Sequence, residues 1–470
     1  MTSFDERSRV SEQSPAGEQS HVVLPWVIGL VLVAAAAINP LDFITSASEY
    51  DRAETSAAAH TMIKLAIAAV ATAIGAFGFL FSPRTRRLLN SVPGAALLTL
   101  AGVFCATSVV AVPAVRTISV AASLIFLGYL LFATTALATI GAKRVVICLT
   151  LGTAIYLLGT WGLFILVPEK GRFTEYTSNT DTVVRMGGTG HPNTIAKVAV
   201  ATGLMGLALL TGRSRREEVA VDRARDDSDH ESSPERTDHD ALSIGTRGPW
   251  WTWIWIGVIL LSTATTLATV SRTAILAGVA AAGMLLIHRF YGRGGIALAA
   301  AASAGIIGMM LAVSLDTHEG PLSESAIGIV TKSGDVEELT SLTGRTVIWA
   351  EALSLIAKRP LTGWGLDSAA TVMSKEATGT HSVVLHVTFS AGILAGGLLI
   401  GLLVWSLFFG ALSPFEWLRG LMVFILISGL VEDTIFESFP TMLTLLWIVG
   451  LLAPNLLHLD RVALSEPKWE

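Results

Sequence analysis

The sequence predicts an all-α integral membrane protein with about twelve transmembrane helices and a large extracytoplasmic loop between the ninth and tenth. Composition is the first observation behind that prediction. Of 470 residues, 52% are hydrophobic and 15% charged, where soluble domains carry roughly 25% charged residues. The second is that the apolar residues gather in runs close to the ~20 residues that a bilayer core requires. The third is a regular bias of Lys and Arg toward alternate loops.

Taken in order, residues 1–21 (MTSFDERSRVSEQSPAGEQS and His21) are polar and predict a disordered cytoplasmic tail. No cleavable signal peptide is evident, so the run at 22–38 is read as a retained span. Further runs at 58–81, 94–112, 117–140, 145–167 and 194–211 complete a first half, 22–212, of six spans. Residues 213–248 are polar and of mixed charge, and predict a disordered cytoplasmic linker. Its His230 and His239 read as part of a solvated polyampholyte rather than as a metal site. Spans seven to nine fall at 250–268, 272–290 and 295–315, within the segment 249–315. The outer loop occupies 316–380, and spans ten to twelve fall at 382–410, 417–431 and 439–457, within 381–457. A cytoplasmic tail, 458–470, closes the chain.

Orientation follows from the loop bases. Arg84, Arg86 and Arg87, then Lys143 and Arg144, then Arg213, Arg215 and Arg216, then Arg289 and Arg293, and finally Arg419 all fall in alternate loops. The first outer loop carries Asp42, Glu49, Asp51 and Glu54 instead. Both termini are therefore expected in the cytoplasm, with an even number of spans. The net charge of −5 comes largely from loops and implies no nucleic-acid partner. Cys105 and Cys148 lie inside apolar runs and read as packing groups rather than as metal ligands or a disulfide.

Within the outer loop, GRTVIWAEALSLIAKRPLTGWG predicts an amphipathic helix. Trp349, Leu353 and Ile356 recur at helical spacing with Val347 and Ala350 beside them, and Pro360 ends the pattern. Such a helix can lie on the outer membrane surface and roof a cavity. Gly363, Trp364 and Gly365 then form a turn whose aromatic can anchor at the interface.

With the topology set, four separate segments bring a base to the outer face: Arg185 in VVRMGGTGHPN, Arg272 in SRTAIL, and Arg345 and His381 at either side of the loop helix. Arginine presents a fork of donors that matches phosphate oxygens and stays charged. Two or three can hold a pyrophosphate leaving group as its bond to a sugar breaks. His381 can take the proton of an attacking hydroxyl. Neither paired carboxylates nor a DxD-type metal site is visible in the outer loops, so a transfer without metal or other cofactor is expected. Each base also has a plainer reading. Arg272 can snorkel to the headgroups, Arg345 can be a surface charge, Arg185 an ordinary loop charge, and His381 a helix-start packing group. His191 in GHPN can simply set the backbone at the start of the sixth span. His386, one turn beyond His381, and the acids Glu432 and Asp433 complete the candidates, as supports of the bases or as packing and solvated groups.

These pieces together resemble the O-antigen ligase and polymerase-like membrane proteins. RMGGTGHPNTIA, TVSRTAIL, GRTVIWAEALSLIAKRPLTGWG and HSVVLHVTFSAGILAGGLL carry the resemblance, between Arg185 and Gly401. It implies a twelve-span fold in the bacterial cytoplasmic membrane with a periplasmic loop between spans nine and ten. It also implies metal-independent, inverting transfer of a glycan from an undecaprenyl-pyrophosphate-type carrier to an acceptor hydroxyl, by a ligase or a polymerase. On this resemblance Arg185, Arg272 and Arg345 would contact the pyrophosphate and His381 would activate the acceptor. Family members often have His-Asn where this chain has His381-Ser382. The expected partners are the lipid-linked glycan donor, a glycan or lipid-glycan acceptor and membrane lipids. The competing reading is a transporter, a lipid-oligosaccharide flippase or small-anion carrier, which should place polar groups near the bilayer midplane. Lys64 and Lys197, near helix starts, are almost the only such charges in the predicted spans.

Overall fold

The computed structural model describes residues 16–42, 58–176, 182–211, 249–287, 345–374, 379–412, 416–433, 435, 436 and 438–465. The predicted linker at 213–248, the predicted ninth span at 295–315 and the loop segment 316–344 lie outside them.

The described chain is an all-α membrane protein with one small hairpin. Its helices are α1 (Ala16–Ile38), α2 (Ala58–Phe81), α3 (Pro83–Leu89), α4 (Val92–Val109), α5 (Pro113–Leu166) and α6 (Pro168–Gly171), followed by strands β1 (Arg172–Tyr176) and β2 (Thr182–Met186). Then come α7 (Pro192–Thr211) and α8 (Pro249–Thr269), and α9 (Arg272–Ile287). The last group is α10 (Arg345–Lys358), α11 (Ala369–Val372), α12 (Val383–Ala391), α13 (Ile393–Leu412), α14 (Glu416–Val431) and α15 (Met442–Ser465). Five of these helices are long and apolar enough to cross a membrane, and α9 and parts of α1, α13, α14 and α15 are shorter apolar helices.

The core centres on α5, which packs against α1, α2, α4 and α15. Small residues allow the close approach. A Cβ added at Gly75 of α2 would meet the Phe132 backbone nitrogen at 2.5 Å, and one at Gly152 of α5 would meet the Val33 carbonyl of α1 at 2.4 Å. Three threonines inside α5 turn their hydroxyls to their own helix. Thr134, Thr150 and Thr160 each donate to the carbonyl four residues back, at 2.8, 2.7 and 3.0 Å.

Several elements depart from the sequence expectation. Helix α1 begins at Ala16, inside the predicted tail, and α15 runs to Ser465, inside the other. The fourth and fifth predicted spans are two helices that meet without a loop at Gly141, whose non-helical φ of 76° only glycine adopts freely. Lys143 and Arg144 are therefore helical rather than in a loop. Ahead of α7, where a plain loop is expected, β1 and β2 pair antiparallel with Phe173 opposite Arg185. Thr174, Tyr176, Thr182, Val183 and Val184 supply the β-branched and aromatic residues that favour it. The single tenth span is two helices, broken at Gly392 with φ 86°.

That break is filled by the glycine-tryptophan turn. Trp364 and Gly365 N–H groups donate to the Phe389 and Ser390 carbonyls at 2.9 and 2.8 Å, and the Ile393 N–H donates to the Pro360 carbonyl at 2.8 Å. A Cβ at Gly363 would meet Ser390 backbone at 2.5 Å, so the turn needs its glycine. Trp364 packs with α10 and donates to the Leu355 carbonyl at 3.0 Å. The buried stripe of α10 is also turned from the predicted one. Ala352, Leu355 and Ile356 pack on Ala369, Met373 and Phe389, with Ile348 beside them, while Val347 and Leu353 face outward.

Candidate functional site

Several of these helices have one end close to Glu432, the residue after α14. Its carboxylate pairs with the Arg345 guanidinium at the start of α10, and its second oxygen faces His381 Nδ1 at 3.6 Å. Asn193, in the first turn of α7, donates to the same Oε1 at 3.1 Å. Arg185 on β2 donates to Asn193 Oδ1 at 2.9 Å and, through Nε, to the Thr269 carbonyl at the end of α8 at 2.7 Å. Thr269 is separated from Arg272 only by the turn at Val270 and Ser271, which starts α9.

Burial grades these groups. The Glu432 and Arg345 side chains keep 6% and 14% of their exposure, whereas His381 keeps 33% and is open to a reactant. Burial by itself pushes the Glu432 carboxyl up. The approach of His381 and the charges of Lys197 and Arg345 outweigh it and hold the group down at about 2. Glu432 is therefore a fixed anion at neutral pH.

The next residue holds the backbone. Asp433 Oδ1 accepts from the Ser382 N–H at 3.0 Å and from Thr380 Oγ1 at 3.2 Å, so it grips both neighbours of His381. Trp349 Nε1 of α10 adds a bond to the Thr380 carbonyl at 3.0 Å. Between these clamps His381 sits with φ 48°, a left-handed conformation that costs a non-glycine residue of order 1–3 kcal/mol and persists only where its surroundings enforce it. Lys197 Nζ of α7 donates to the Asp433 carbonyl. This buried cation, within a predicted span, is thereby engaged beside Glu432.

Of the residues singled out from sequence, Arg185, Arg345, His381, Glu432 and Asp433 come together directly or through Asn193. Arg272 is placed beside them by the α8–α9 turn. His386 is buried on α12 with Nδ1 3.8 Å from Asp433 Oδ2, and neither ring nitrogen has a hydrogen-bond partner among the described residues. His191 lies apart in role. Its Nδ1 accepts the Asn193 N–H at 3.3 Å, its carbonyl accepts Thr194 and Ile195, and its ring meets Phe173 edge-on. It shapes the start of α7. Asn193 itself was not singled out for chemistry. The only signal for it was its place in GHPN, where an amide directly after proline reads as backbone geometry.

Arg185 is 4% exposed, and two of its donor positions are occupied by Thr269 and Asn193. Arg272 and Arg345 are half-buried instead.

Comparison with known proteins bears on the same residues. No curated protein matches the chain. Residues 257–400, which hold Arg272, Arg345 and His381, match the family model of the O-Antigen ligase domain. That segment of the chain is thus similar to the O-antigen ligase domain, within a protein of long apolar helices.

Proposed function

We propose that the protein transfers a glycan from a polyprenyl-pyrophosphate carrier to an acceptor hydroxyl at the outer face of the bacterial cytoplasmic membrane. The observation that carries the reading is the convergence of Arg345, His381 and, through Asn193, Arg185 on the one buried anion Glu432. In this reading the chain has twelve spans with both termini cytoplasmic, and its donor is of the undecaprenyl-pyrophosphate type.

The chemistry follows from the charges. Glu432 draws the Nδ1 side of His381 toward itself, which leaves Nε2 to accept the proton of the acceptor hydroxyl. The hydroxyl oxygen attacks the anomeric carbon from the face opposite the pyrophosphate. The carbon–oxygen bond to pyrophosphate breaks, its electron pair leaves with the phosphate oxygen, and the configuration inverts. Arg272 and Arg345 stabilise the departing charge, so guanidinium groups supply what a metal would otherwise provide. Arg185 is a positioning residue that fixes Asn193 and the α8 end.

Transport is favoured by one feature, the helix break at Gly392. However, the turn from Pro360 to Gly365 packs into that break, and the charged groups gather at the outer end. The test is transfer by purified protein from a polyprenyl-pyrophosphate glycan in the presence of a chelator. Folded His381→Ala and Arg272→Ala proteins should lose transfer. Wild-type rates in both would overturn the catalytic assignment, and movement of the lipid-linked glycan across vesicles without transfer would support transport.

A further inference from the structure

Below the α8–α9 turn, α7, α8 and α9 enclose a cleft of about 270 Å³. Ala199 and Gly203 of α7, Leu267 of α8, and Ile275, Gly278 and Ala282 of α9 line it. Its upper end lies next to the pyrophosphate-side bases. Leu267 precedes Thr269, which accepts the Arg185 bond, and Ile275 lies in the first turn that Arg272 opens. From Leu267 the lining descends α8 to Ile259, about 12 Å at the helical rise of 1.5 Å per residue. That is close to the outer half of a hydrocarbon core about 30 Å thick.

The wall is mostly apolar, the buried Ser262 hydroxyl being the lining group without a hydrogen-bond partner among the described residues. The Thr263 and Thr266 hydroxyls turn back to the Ile259 and Ser262 carbonyls, each at 2.8 Å, and so are spent within their own helix. The cleft exists because small residues set the backbones close and leave little side chain above them. A Cβ on Gly278 would already be 3.0 Å from Val200 Cγ1, and one on Gly203 would be 3.1 Å from Ser262 Cβ. Its rim opens sideways, with Leu267 61% and Val279 67% exposed. In a surrounding bilayer such exposed apolar side chains would meet hydrocarbon.

A cation at the upper end, an apolar cleft below it and a side open to lipid together describe a site for one amphiphile with an anionic head. We infer that this cleft seats the first isoprenoid units of the donor's polyprenyl chain, so that the pyrophosphate is delivered to Arg272 from within the membrane. The inference rests on the donor class proposed above. It adds the path by which the substrate enters, laterally between α7, α8 and α9, and a source of selectivity for the lipid that is separate from the sugar.

Two measurements test it. A polyprenyl pyrophosphate bearing a benzophenone on an isoprene unit near the head should label peptides from 199–207, 259–267 or 275–282 on illumination, and excess unlabelled polyprenyl pyrophosphate should suppress the labelling. Suppression by phosphatidylglycerol at the same concentration would mean that ordinary lipid occupies the cleft, and would overturn the inference. In transfer assays, Ala282→Phe narrows the cleft and Val279→Trp covers its rim without entering the core. Either should raise the ratio of KM for a long-chain donor to KM for a two-isoprene donor by about tenfold, the effect of uncovering roughly two methylenes. An unchanged ratio in both folded variants overturns the inference. Labelling is read without turnover, so the two readings fail separately. Transfer with labels only on other helices removes the cleft alone, and labels at the cleft without transfer remove the glycan reaction alone.

Discussion

Helix α5 and the node around Glu432 satisfy their polar groups in opposite ways. At Thr134 and Thr150 of α5 the hydroxyl turns to the carbonyl one helical turn back, so each of these two residues is content wherever its helix goes. At the node, Arg185, Asn193, Glu432, Arg345 and His381 come from five separate segments and satisfy one another across separations as long as 239 residues. A helix of the first kind tolerates the loss of a single hydroxyl. An arrangement of the second kind stands or falls with its shared anion.

Removing that anion should have the largest effect. Glu432→Ala leaves Arg345 and the Asn193 amide facing an empty site, and breaking a buried pair costs about 3–5 kcal/mol. Thermal unfolding in detergent should show it, together with loss of transfer. A wild-type unfolding temperature would mean that the node is not a unit. Acid probes the same carboxylate more gently. Its folded value of about 2 lies below the ordinary 4.5, so its contribution is fully present above about pH 4.5 and is lost as pH falls toward 2. The span corresponds to about 3 kcal/mol. The drop in unfolding temperature between pH 5 and 3 should be markedly smaller in Glu432→Gln.

Asp433→Asn sharpens the comparison from the other side. It keeps an oxygen acceptor for Ser382 and Thr380 but removes the charge, a change worth about 1–2 kcal/mol for a charge-assisted bond. We expect kcat to fall about tenfold with KM for the donor unchanged, because Asp433 aims His381 and does not touch the pyrophosphate. A rise in KM alone would place it in donor binding. At the small end, Thr150→Val on α5 should change stability by no more than about 1 kcal/mol and transfer not at all.

The same contrast governs what could be read from the chain. Arg272, Arg345 and His381 were legible because a charge at the end of an apolar run is costly and therefore conspicuous. The link from Asn193 to Glu432 was not, since nothing local pairs residues in different halves of the sequence. The break at Gly392 was hidden inside continuous apolar sequence, where a glycine is equally at home in a packed helix. The stripe on α10 was misjudged because hydrophobicity does not say which neighbour it serves. Leu353 and Val347 are apolar toward the outside, and the smaller Ala352 is what lets α10 approach α12. The hairpin before α7 was missed because its strands are only five residues each, shorter than a pattern needs to stand out from a loop.

The left-handed backbone at His381 makes the imidazole separable from the fold. A glycine there would release the conformational strain while the grips of Asp433 and Trp349 on either side stayed in place, leaving an imidazole-shaped vacancy open to solvent. His381→Gly should therefore be at least as stable as His381→Ala. It is also the variant in which dissolved imidazole can restore transfer, with a concentration dependence that reports the proton-accepting step directly.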